Sequence, residues 1–365
     1  MTMASGLADF RFSVFAFPRD RRIGDCQVAI DTNWVGALEL IDGDGLVGTG
    51  FCLSLSGPLP DASQLADYFS AGIWSGLDGT PPETLVHRLT RPRGGNVRML
   101  LHDLDTALDQ ALWDLAAKRA RLPLYRYLGG MVGRVKAYAS GLEFHLDDAD
   151  VRSFYASARS VGYRAYKAKV GHPDVEWDIA RLDLVRDTIG PDADLMIDAN
   201  EAWTVAETRR RVRAYEAAGH RLYWVEDPIL RSDFVGLAAL RGTLGDARIN
   251  AGEYLAADAK VAMIAADAAD VVQLNSRIGD GLRMAWTAGL RGVPVALGNT
   301  NMNIGAHLAA ALPEGGLAED SRMNTTDILV EPLRVVDGCF VLPDVPGHGL
   351  ALAADAVERF GQRPV

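Results

Sequence analysis

Short, apolar, β-rich runs recur between residues 135 and 321, and helical stretches rich in Ala, Arg and Leu separate them. The runs are VKAYASG (135–141), AYKAKVG (165–171), DLMIDAN (194–200), LYWVEDP (222–228), RINAGE (248–253), VVQLN (271–275), VPVALGN (293–299) and LAEDS (317–321). Strands that alternate with helices in this way indicate a parallel sheet. Seven or eight such units, at about 25 residues each, predict an α/β fold, a (β/α)8 barrel of the TIM type.

A doubly wound open sheet is the alternative, but neither G-x-G-x-x-G nor G-x-x-x-x-G-K-[ST] occurs within the repeat to favour it. The first 130 residues differ from the repeat, because strand-like runs surround the turn at Asp42–Gly45 and a helical pattern covers residues 101–128. We therefore predict an α+β capping domain at residues 1–133 and a barrel at 134–328. The last segment, 329–365, is expected to return to the capping domain.

Composition limits the partners of this chain. The 365 residues include 37 Lys+Arg and 48 Asp+Glu, a formal charge of −11 that disfavours nucleic acid and anionic membranes as partners. Three cysteines are too few and too scattered for a disulfide framework or a thiolate metal site. No long apolar stretch and no signal-peptide pattern is present, so a cytoplasmic protein is expected.

Charged residues end five of the predicted strands, although buried parallel strands are usually apolar throughout. These residues are Lys169, Asp198, Glu226, Glu253 and Glu319. The first four are separated by 29, 28 and 27 residues, which is one strand–helix unit each time. Because the carboxyl ends of all barrel strands open onto one face, these side chains should share one mouth.

Three convergent carboxylates without nearby Cys or His form a hard oxygen site, which suits Mg²⁺ or Mn²⁺. A single acid at such a position most often caps a helix or pairs with a surface lysine, but three acids in register favour a metal site. Lys167 and Lys169 lie two residues apart on one strand and so face the same way. Burial beside a metal is expected to lower a lysine pKa and leave an amine that accepts a proton.

The order and spacing of several motifs resemble the enolase superfamily, in particular its mandelate racemase/muconate lactonizing enzyme family. The motifs are LYRYLGG at the end of the cap helices, K-A-K at 167–169, D-A-N at 198–200, V-E-D-P at 225–228, A-G-E at 251–253, R-I-G at 277–279 and the closing LPDVPGHGL. The resemblance covers nearly the whole chain. It implies a modified TIM-type barrel with an α+β capping domain, a small-molecule carboxylate substrate and a homo-oligomer.

The resemblance also implies roles for individual residues. The Mg²⁺ ligands would be Asp198, Glu226 and Glu253. Lys169 would be the base that removes the proton α to a carboxylate, Lys167 would neutralise the substrate carboxylate and Asn200 would support the site. Glu319 matches the position that hydrogen-bonds the substrate carboxylate as the enolate forms.

The sequence departs from the family on the side opposite Lys169. Racemases of the mandelate type have a His at the seventh strand end and an Asp at the sixth, where this chain has Asn299 and Leu274. The lysine of the muconate-lactonizing type is also replaced by Leu274. Single-base chemistry on Lys169 is therefore predicted: a Mg²⁺-dependent lyase that dehydrates a hydroxy acid or acid sugar to a 2-keto acid. A racemase, epimerase or lactone cycloisomerase is the alternative, and a non-catalytic binding protein is less favoured because the catalytic residues are retained.

Polar residues around the predicted mouth are candidates for substrate binding. Asn299 and Asn301 follow the seventh strand, although a simple helix-capping loop accounts for them equally well. Ser140 ends the first barrel strand. Arg19 falls where this family extends a loop from the cap over the barrel, and a solvated loop arginine is its other interpretation.

Overall fold

The computed structural model describes residues 5–54, 57–86, 102–275, 277–298, 301–312, 316–322 and 325–361, without the side chains of residues 102, 103 and 301. In these ranges the chain forms an antiparallel sheet with helices, a barrel of parallel strands, and a C-terminal segment that contacts both. None of the helices that these ranges contain has the length and apolar character that a membrane span requires.

The capping sheet has three antiparallel strands, β1 (Leu7–Gly24), β2 (Ala29–Asp42) and β3 (Val47–Ser54). The predicted turn joins β2 to β3, where Asp42 Oδ1 accepts the N–H groups of Asp44 and Leu46 at 3.0 and 2.9 Å. β1 is an addition to the prediction. Its pairing with β2 is interrupted between Pro18 and Ile23, so the arginines at 19–22 lie in a bulge of a strand and not in an open loop.

Four helices follow this sheet: α1 (Ala62–Gly72), α2 (Pro82–Leu85), α3 (His102–Arg119) and α4 (Leu124–Tyr127). α1 packs on β1, α3 packs on β2 and β3, and α2 and α4 pack on α3. Glycines in β3 allow α3 to approach very closely. A Cβ added at Gly48 would lie 2.3 Å from the carbonyl oxygen of Ala111, and one at Gly50 would lie 1.9 Å from that of Ala107. Side chains are therefore excluded at both positions by the helix backbone.

Eight parallel strands form the barrel: β4 (Arg134–Ser140), β5 (Ala165–Lys169), β6 (Asp194–Asp198), β7 (Leu222–Glu226), β8 (Arg248–Ala251), β9 (Val271–Leu274), β10 (Val295–Leu297) and β11 (Leu317–Asp320). Seven of them lie within a predicted run, β4 begins one residue before its run, and β11 pairs with β4 to close the barrel. The helices between them are α5 (Asp148–Ser160), α6 (Val175–Ile189), α7 (Val205–Ala217), α8 (Phe234–Leu240), α9 (Ala257–Ala265), α10 (Ile278–Gly289) and α11 (Gly305–Ala311). The predicted modified TIM barrel with an α+β cap is confirmed.

The barrel interior changes from apolar to charged along its axis. Met196 and Trp224 pack with Tyr138, Val271 and Ala296 in one buried cluster. Residues two apart on a strand share a face, so the side chains two positions further along β6 and β7 also point inward. The apolar cluster therefore closes one end of the barrel and forms the floor beneath the charged end.

The C-terminal segment contains β12 (Arg334–Val336), β13 (Cys339–Val341) and α12 (Ala356–Phe360). β13 pairs antiparallel with β4 of the barrel. The same segment contacts the cap through His348, whose N–H donates to Asp114 Oδ1 at 2.8 Å and whose Nε2 lies 2.7 Å from the carbonyl oxygen of Thr49.

One capping-domain carboxylate caps a barrel helix. Asp109 on α3 is 2% exposed, and its Oδ2 accepts the N–H of Ile278 at 2.6 Å and that of Gly279 at 3.4 Å. These N–H groups belong to the first turn of α10, where no carbonyl group of the helix itself can accept them. Burial raises the pKa of Asp109 to about 7, although Arg277 and the two N–H groups oppose the rise.

We expect this carboxyl group to make stability depend on pH. Because the folded-state pKa lies above the ordinary value of 3.8, the folded state binds the proton more tightly, and the free energy of unfolding falls as pH rises from about 4 to about 7. Asp109→Asn does not titrate, so the wild type should lose on the order of 4 kcal/mol relative to the variant across this window. Urea unfolding of both proteins at pH 4 and pH 8 measures the difference. A difference that is the same at both pH values would contradict the raised pKa.

Candidate active site

The register of the parallel strands brings charged side chains together at one end of the barrel. Lys169 pairs with Asp198, and Asp198 pairs with Glu226. Glu253 follows β8 after one intervening residue, and Glu319 lies in β11. All five side chains belong to residues that are at most 7% exposed. The structure thus brings the predicted strand-end residues to one buried site.

Lys169 is held by two groups from the β6 end. Its Nζ donates to Asp198 Oδ2 at 2.6 Å and to Asn200 Oδ1 at 3.1 Å. Asn200 has a φ of 45°, in the left-handed region, and its own N–H donates to Asp198 Oδ1 at 2.9 Å. The turn after β6 therefore aims both oxygen atoms at the same ammonium group.

Lys167 lies between carboxylates from opposite sides of the barrel. Its Nζ is 3.0 Å from Glu226 Oε1, 3.0 Å from Glu319 Oε1 and 3.7 Å from Asp198 Oδ2. The ammonium also lies 5.6 Å from the centre of the Tyr138 ring. Lys167 therefore connects the β6–β7 side of the mouth with the β11 side.

In this arrangement of side chains the lysine pKa shifts are opposite to the direction that is predicted beside a metal. Burial alone would lower the pKa of Lys169, but the charge of Asp198 outweighs it and the pKa is raised. The pKa of Lys167 is also raised well above its ordinary value, because Glu226 and Glu319 outweigh its burial. The lowered pKa is expected from burial beside a metal, without regard to the number of carboxylates around the two lysines.

The same crowding affects the acids. Burial, together with neighbouring carboxylates, raises the pKa of Glu226 well above its usual range, although Lys167 opposes this. Burial, followed by the charge of Glu319, raises the pKa of Glu253 to about 7. Burial would also raise the pKa of Asp198, but the ammonium groups of Lys169 and Lys167 outweigh it and the pKa falls. The acids thus outnumber the two cations that neutralise them.

This donor set has the chemistry that a hard divalent cation requires, because buried carboxylate oxygens with surplus negative charge are ligands of Mg²⁺ and Mn²⁺. As the side chains stand, no group of three His, Cys, Asp or Glu residues in the described part of the chain is arranged to hold a metal ion. Instead, Asp198 and Glu226 contact the ammonium groups of Lys169 and Lys167. A metal ion at these residues would compete with the two ammonium groups for the carboxylate oxygens.

Three further charged groups near this mouth were not predicted. Arg231 Nε lies 2.8 Å from Glu201 Oε1 and 3.5 Å from Asp227 Oδ2. Asp227 has a φ of 35°, and burial raises its pKa to about 6. The acid of V-E-D-P was visible in the sequence as a neighbour of Glu226, but the arginine that faces it lies in the following loop.

A buried lysine on α9 was also missed. Lys260 Nζ donates to the carbonyl oxygens of Glu253 and Leu255, each at 3.1 Å. Burial lowers its pKa to about 8. Nothing in a helical ADAKVAMIA segment distinguishes such a lysine from a solvated one, so only the packing of α9 reveals its contact with the turn after β8.

The predicted substrate-binding residues have different positions. Ser140 ends β4, is 2% exposed and pairs in register with Lys167, so it lies at the end of the barrel where the lysines are. Arg19 donates from Nε to Asn33 Oδ1 at 3.3 Å within the capping sheet. Asn299 and the side chain of Asn301 lie outside the described residues. Substrate binding by these four residues stays a prediction.

The described residues at the ends of β9 and β10 contain no ionisable base. Leu274 is 1% exposed, and Asn275 Nδ2 donates to the carbonyl oxygen of Glu253 at 3.3 Å. Leu297 and Gly298 end the described part of β10 and its loop. Within the described part of the barrel interior, the candidate bases are therefore the two lysines of β5.

Comparisons with known proteins give the same family for both parts of the chain. The sequence profile described as mandelate racemase / muconate lactonizing enzyme, N-terminal domain, matches residues 14–129. The profile described as enolase C-terminal domain-like matches residues 150–356.

Two curated relatives align with most of the chain. The 3,6-anhydro-alpha-L-galactonate cycloisomerase of Streptomyces coelicolor is 30% identical over 331 residues, which are 88% of this chain and 90% of the relative. The L-talarate/galactarate dehydratase of Salmonella typhimurium is 31% identical over 343 residues, which are 89% of this chain and 84% of the relative.

Solved structures agree with the fold over nearly the whole length. A Mesorhizobium loti protein assigned as a mandelate racemase has 42% sequence identity and a TM-score of 0.93, and the match covers 99% of this chain and 96% of that one. The Salmonella typhimurium dehydratase, crystallised with Mg and L-lyxarohydroxamate, has 27% identity and a TM-score of 0.85 over 99% of this chain and 94% of its own.

Proposed function

The chain belongs to the mandelate racemase/muconate lactonizing enzyme family of the enolase superfamily, and from that premise we propose that it dehydrates a hydroxy acid or acid sugar to a 2-keto acid. Its first step is removal of the proton α to a carboxylate. The observation that carries the proposal is the buried array of Lys167 and Lys169 among Asp198, Glu226 and Glu319 at the C-terminal end of the barrel.

The prediction of magnesium as cofactor is confirmed at the level of the family, because the structures of several relatives contain it. In this chain Asp198, Glu226 and Glu253 would hold the ion. When bound, a divalent cation stabilises the negative charge that develops on the substrate carboxylate and offsets the carboxylate charge that otherwise keeps Lys169 protonated.

Lys169 is the base. Asn200 Oδ1 and Asp198 fix its Nζ beside the strand end, and the amine takes the α-proton while the electron pair of the C–H bond stays on the substrate as an enolate. The C–O bond at the β carbon then breaks. The hydroxide leaves as water with the proton that Lys169 carries, and the resulting enol tautomerises to the 2-keto acid.

Lys167 and Glu319 act on the substrate carboxylate. The Lys167 ammonium supplies a fixed positive charge, and Glu319, 3.0 Å from it, would donate a hydrogen bond to the carboxylate oxygen in its protonated form. Both groups are buried, so water does not weaken their interaction with the developing charge.

Dehydration is favoured over racemisation because the side of the barrel opposite Lys169 presents Leu274 in place of an acid and, by sequence, Asn299 in place of a histidine. Ring opening of a lactone is the second candidate. It needs the same first step and the same single base, and the D-galactarolactone cycloisomerase of Agrobacterium fabrum aligns with 88% of this chain.

We expect the protein with Mg²⁺ in D₂O to convert at least one acid sugar from a panel of galactarate, L-talarate, arabinonate and D-galactarolactone. Mass spectrometry and ¹H NMR identify the product. A 2-keto acid that has lost one water indicates a dehydratase, whereas a ring-opened isomer of the lactone that has gained only solvent deuterium indicates a cycloisomerase. An epimer, or α-deuteration without a keto acid, would contradict both. No deuterium and no product with any member would overturn the proposed reaction on acid sugars.

A further inference from the structure

Beyond Lys167, the strand that carries both lysines is supported on its β4 side by a side chain and not by backbone. β4 ends at Ser140, which pairs with Lys167, so the strand ladder stops two residues before Lys169. At that point the Lys169 N–H donates to Glu143 Oε1 at 2.7 Å. The Glu143 carboxylate thus takes the place of the backbone carbonyl that a longer β4 would supply.

Tyr155 from α5 completes this support. Its hydroxyl group lies 2.9 Å from Glu143 Oε1 and 2.9 Å from the carbonyl oxygen of Lys167. Tyr155 is completely buried, and burial, followed by the charge of Glu143, raises its pKa well above 10, so the hydroxyl stays a hydrogen-bond donor. Glu143 and Tyr155 together hold the K-A-K segment at its first carbonyl and its last amide.

Packing alone does not account for Glu143. The residue is 2% exposed, and its Oε2 atom has no hydrogen-bond partner among the described residues. A buried carboxylate with an unpaired oxygen is destabilising relative to an apolar side chain of similar size. A residue that only filled this space would not need the charge.

The backbone of Glu143 is joined to the capping domain. Gly24, the last residue of β1, forms a parallel bridge with Glu143, and its N–H donates to the carbonyl oxygen of Leu142 at 2.6 Å. Gly24 begins a five-residue segment, 24–28, that we call the cap turn. Within it, Cys26 Sγ lies 3.4 Å from the carbonyl oxygen of Ala199, next to Asp198. The cap turn therefore contacts the strand ends on both sides of Lys169.

We propose that Glu143 and Tyr155 form a positioning pair that fixes the backbone of Lys169, and that Glu143 couples the docking of the cap turn to the placement of this base. The proposal rests on the proposed function for its kinetic consequence only. The pair does not touch the reacting atoms in this scheme. It acts through the β5 backbone, so its loss should lower kcat and leave KM nearly unchanged.

The decisive variants are Glu143→Leu, which removes the acceptor, and Glu143→Gln, which keeps an oxygen for the Lys169 amide. We expect Glu143→Leu to lower kcat about 10- to 100-fold with KM within about threefold. Glu143→Gln should stay within about threefold of wild-type kcat. Tyr155→Phe tests the other member and should show an intermediate loss. Equal damage from Leu and Gln, or wild-type kcat in Glu143→Leu, would overturn the proposal.

A second measurement does not depend on the substrate. Amide hydrogen exchange of the segment 165–171, followed by mass spectrometry, should accelerate at Lys169 in Glu143→Leu and not in Glu143→Gln. Gly24→Ala should have the same effect, because an added Cβ would lie 1.9 Å from the carbonyl oxygen of Val28 and disrupt the cap turn.

Gly45→Ala is the matched control, since that glycine also has a positive φ but open space around it. Unchanged exchange at Lys169 in Glu143→Leu would refute the positioning pair, and unchanged exchange in Gly24→Ala would refute the coupling. If the wild type converts no member of the substrate panel, the proposed function fails while these exchange rates still decide the inference. If Glu143→Leu does not fold, Tyr155→Phe and Gly24→Ala carry the test.

Discussion

Lys169→Ala is expected to reduce α-deuterium incorporation into the substrate by about 10³-fold or more, because it removes the group that takes the proton. Substrate affinity should change little, since Lys167 and Glu319 remain to bind the carboxylate. The rate of solvent deuterium exchange and the binding constant, measured separately, distinguish the two effects. Loss of exchange with retained binding is the signature of a missing base.

The control is Lys136→Ala. Lys136 lies on β4 in an exposed position and pairs with Cys339 of the C-terminal segment, so the same substitution there should leave the rate within about twofold. Because Lys169 is buried against Asp198, Lys169→Met provides a variant that keeps most of the side-chain volume without the amine. Turnover that survives in a folded Lys169→Met protein would mean that another group removes the proton.

Much of the barrel and its charged mouth follows from sequence, for a simple reason. Parallel strands in a closed barrel must be buried on both faces, so a charged residue at a strand end is conspicuous. The spacing of Lys169, Asp198, Glu226 and Glu253 matches one strand–helix unit each time, which is enough to assign them to one rim. Lys167 follows from the two-residue period of β5.

Features that depend on distant contacts could not be predicted in this way. The pKa of Lys169 depends on how many carboxylates lie near its Nζ atom, which the strand order does not specify. Glu143 lies in a loop after β4. Because β4 ends at Ser140, the Lys169 N–H has no backbone partner on that side among the described residues and donates to Glu143 instead. The same is true of Asp109, which caps a barrel helix 169 positions away in the chain. Each of these contacts joins polar groups whose positions in the sequence follow no helix or strand period, so the sequence pattern does not indicate them.

Glu253→Gln is expected to have two effects of opposite sign. Without magnesium the variant should be more stable than the wild type at pH 8, because burial and the charge of Glu319 raise the pKa of Glu253 to about 7 and keeping it ionised there destabilises the fold. With magnesium the order should reverse. A ligand that binds only the folded state adds about 4.1 kcal/mol at one thousand times its dissociation constant, which exceeds the cost of about 3 kcal/mol that ionised Glu253 imposes at pH 8, and the variant should lose most of this gain together with turnover.

Differential scanning calorimetry with and without Mg²⁺ measures both effects, and Glu358→Gln, the same change on the exposed side of α12, should leave both unchanged. A magnesium-dependent rise in Tm that persists in Glu253→Gln would remove Glu253 from the ligand set. A variant that is less stable under both conditions would mean that Glu253 is a structural acid. A metal ligand is expected to give both effects, a gain in stability of the variant without Mg²⁺ and a loss with Mg²⁺. The ionised carboxylate destabilises the metal-free fold, and the bound cation offsets this destabilisation.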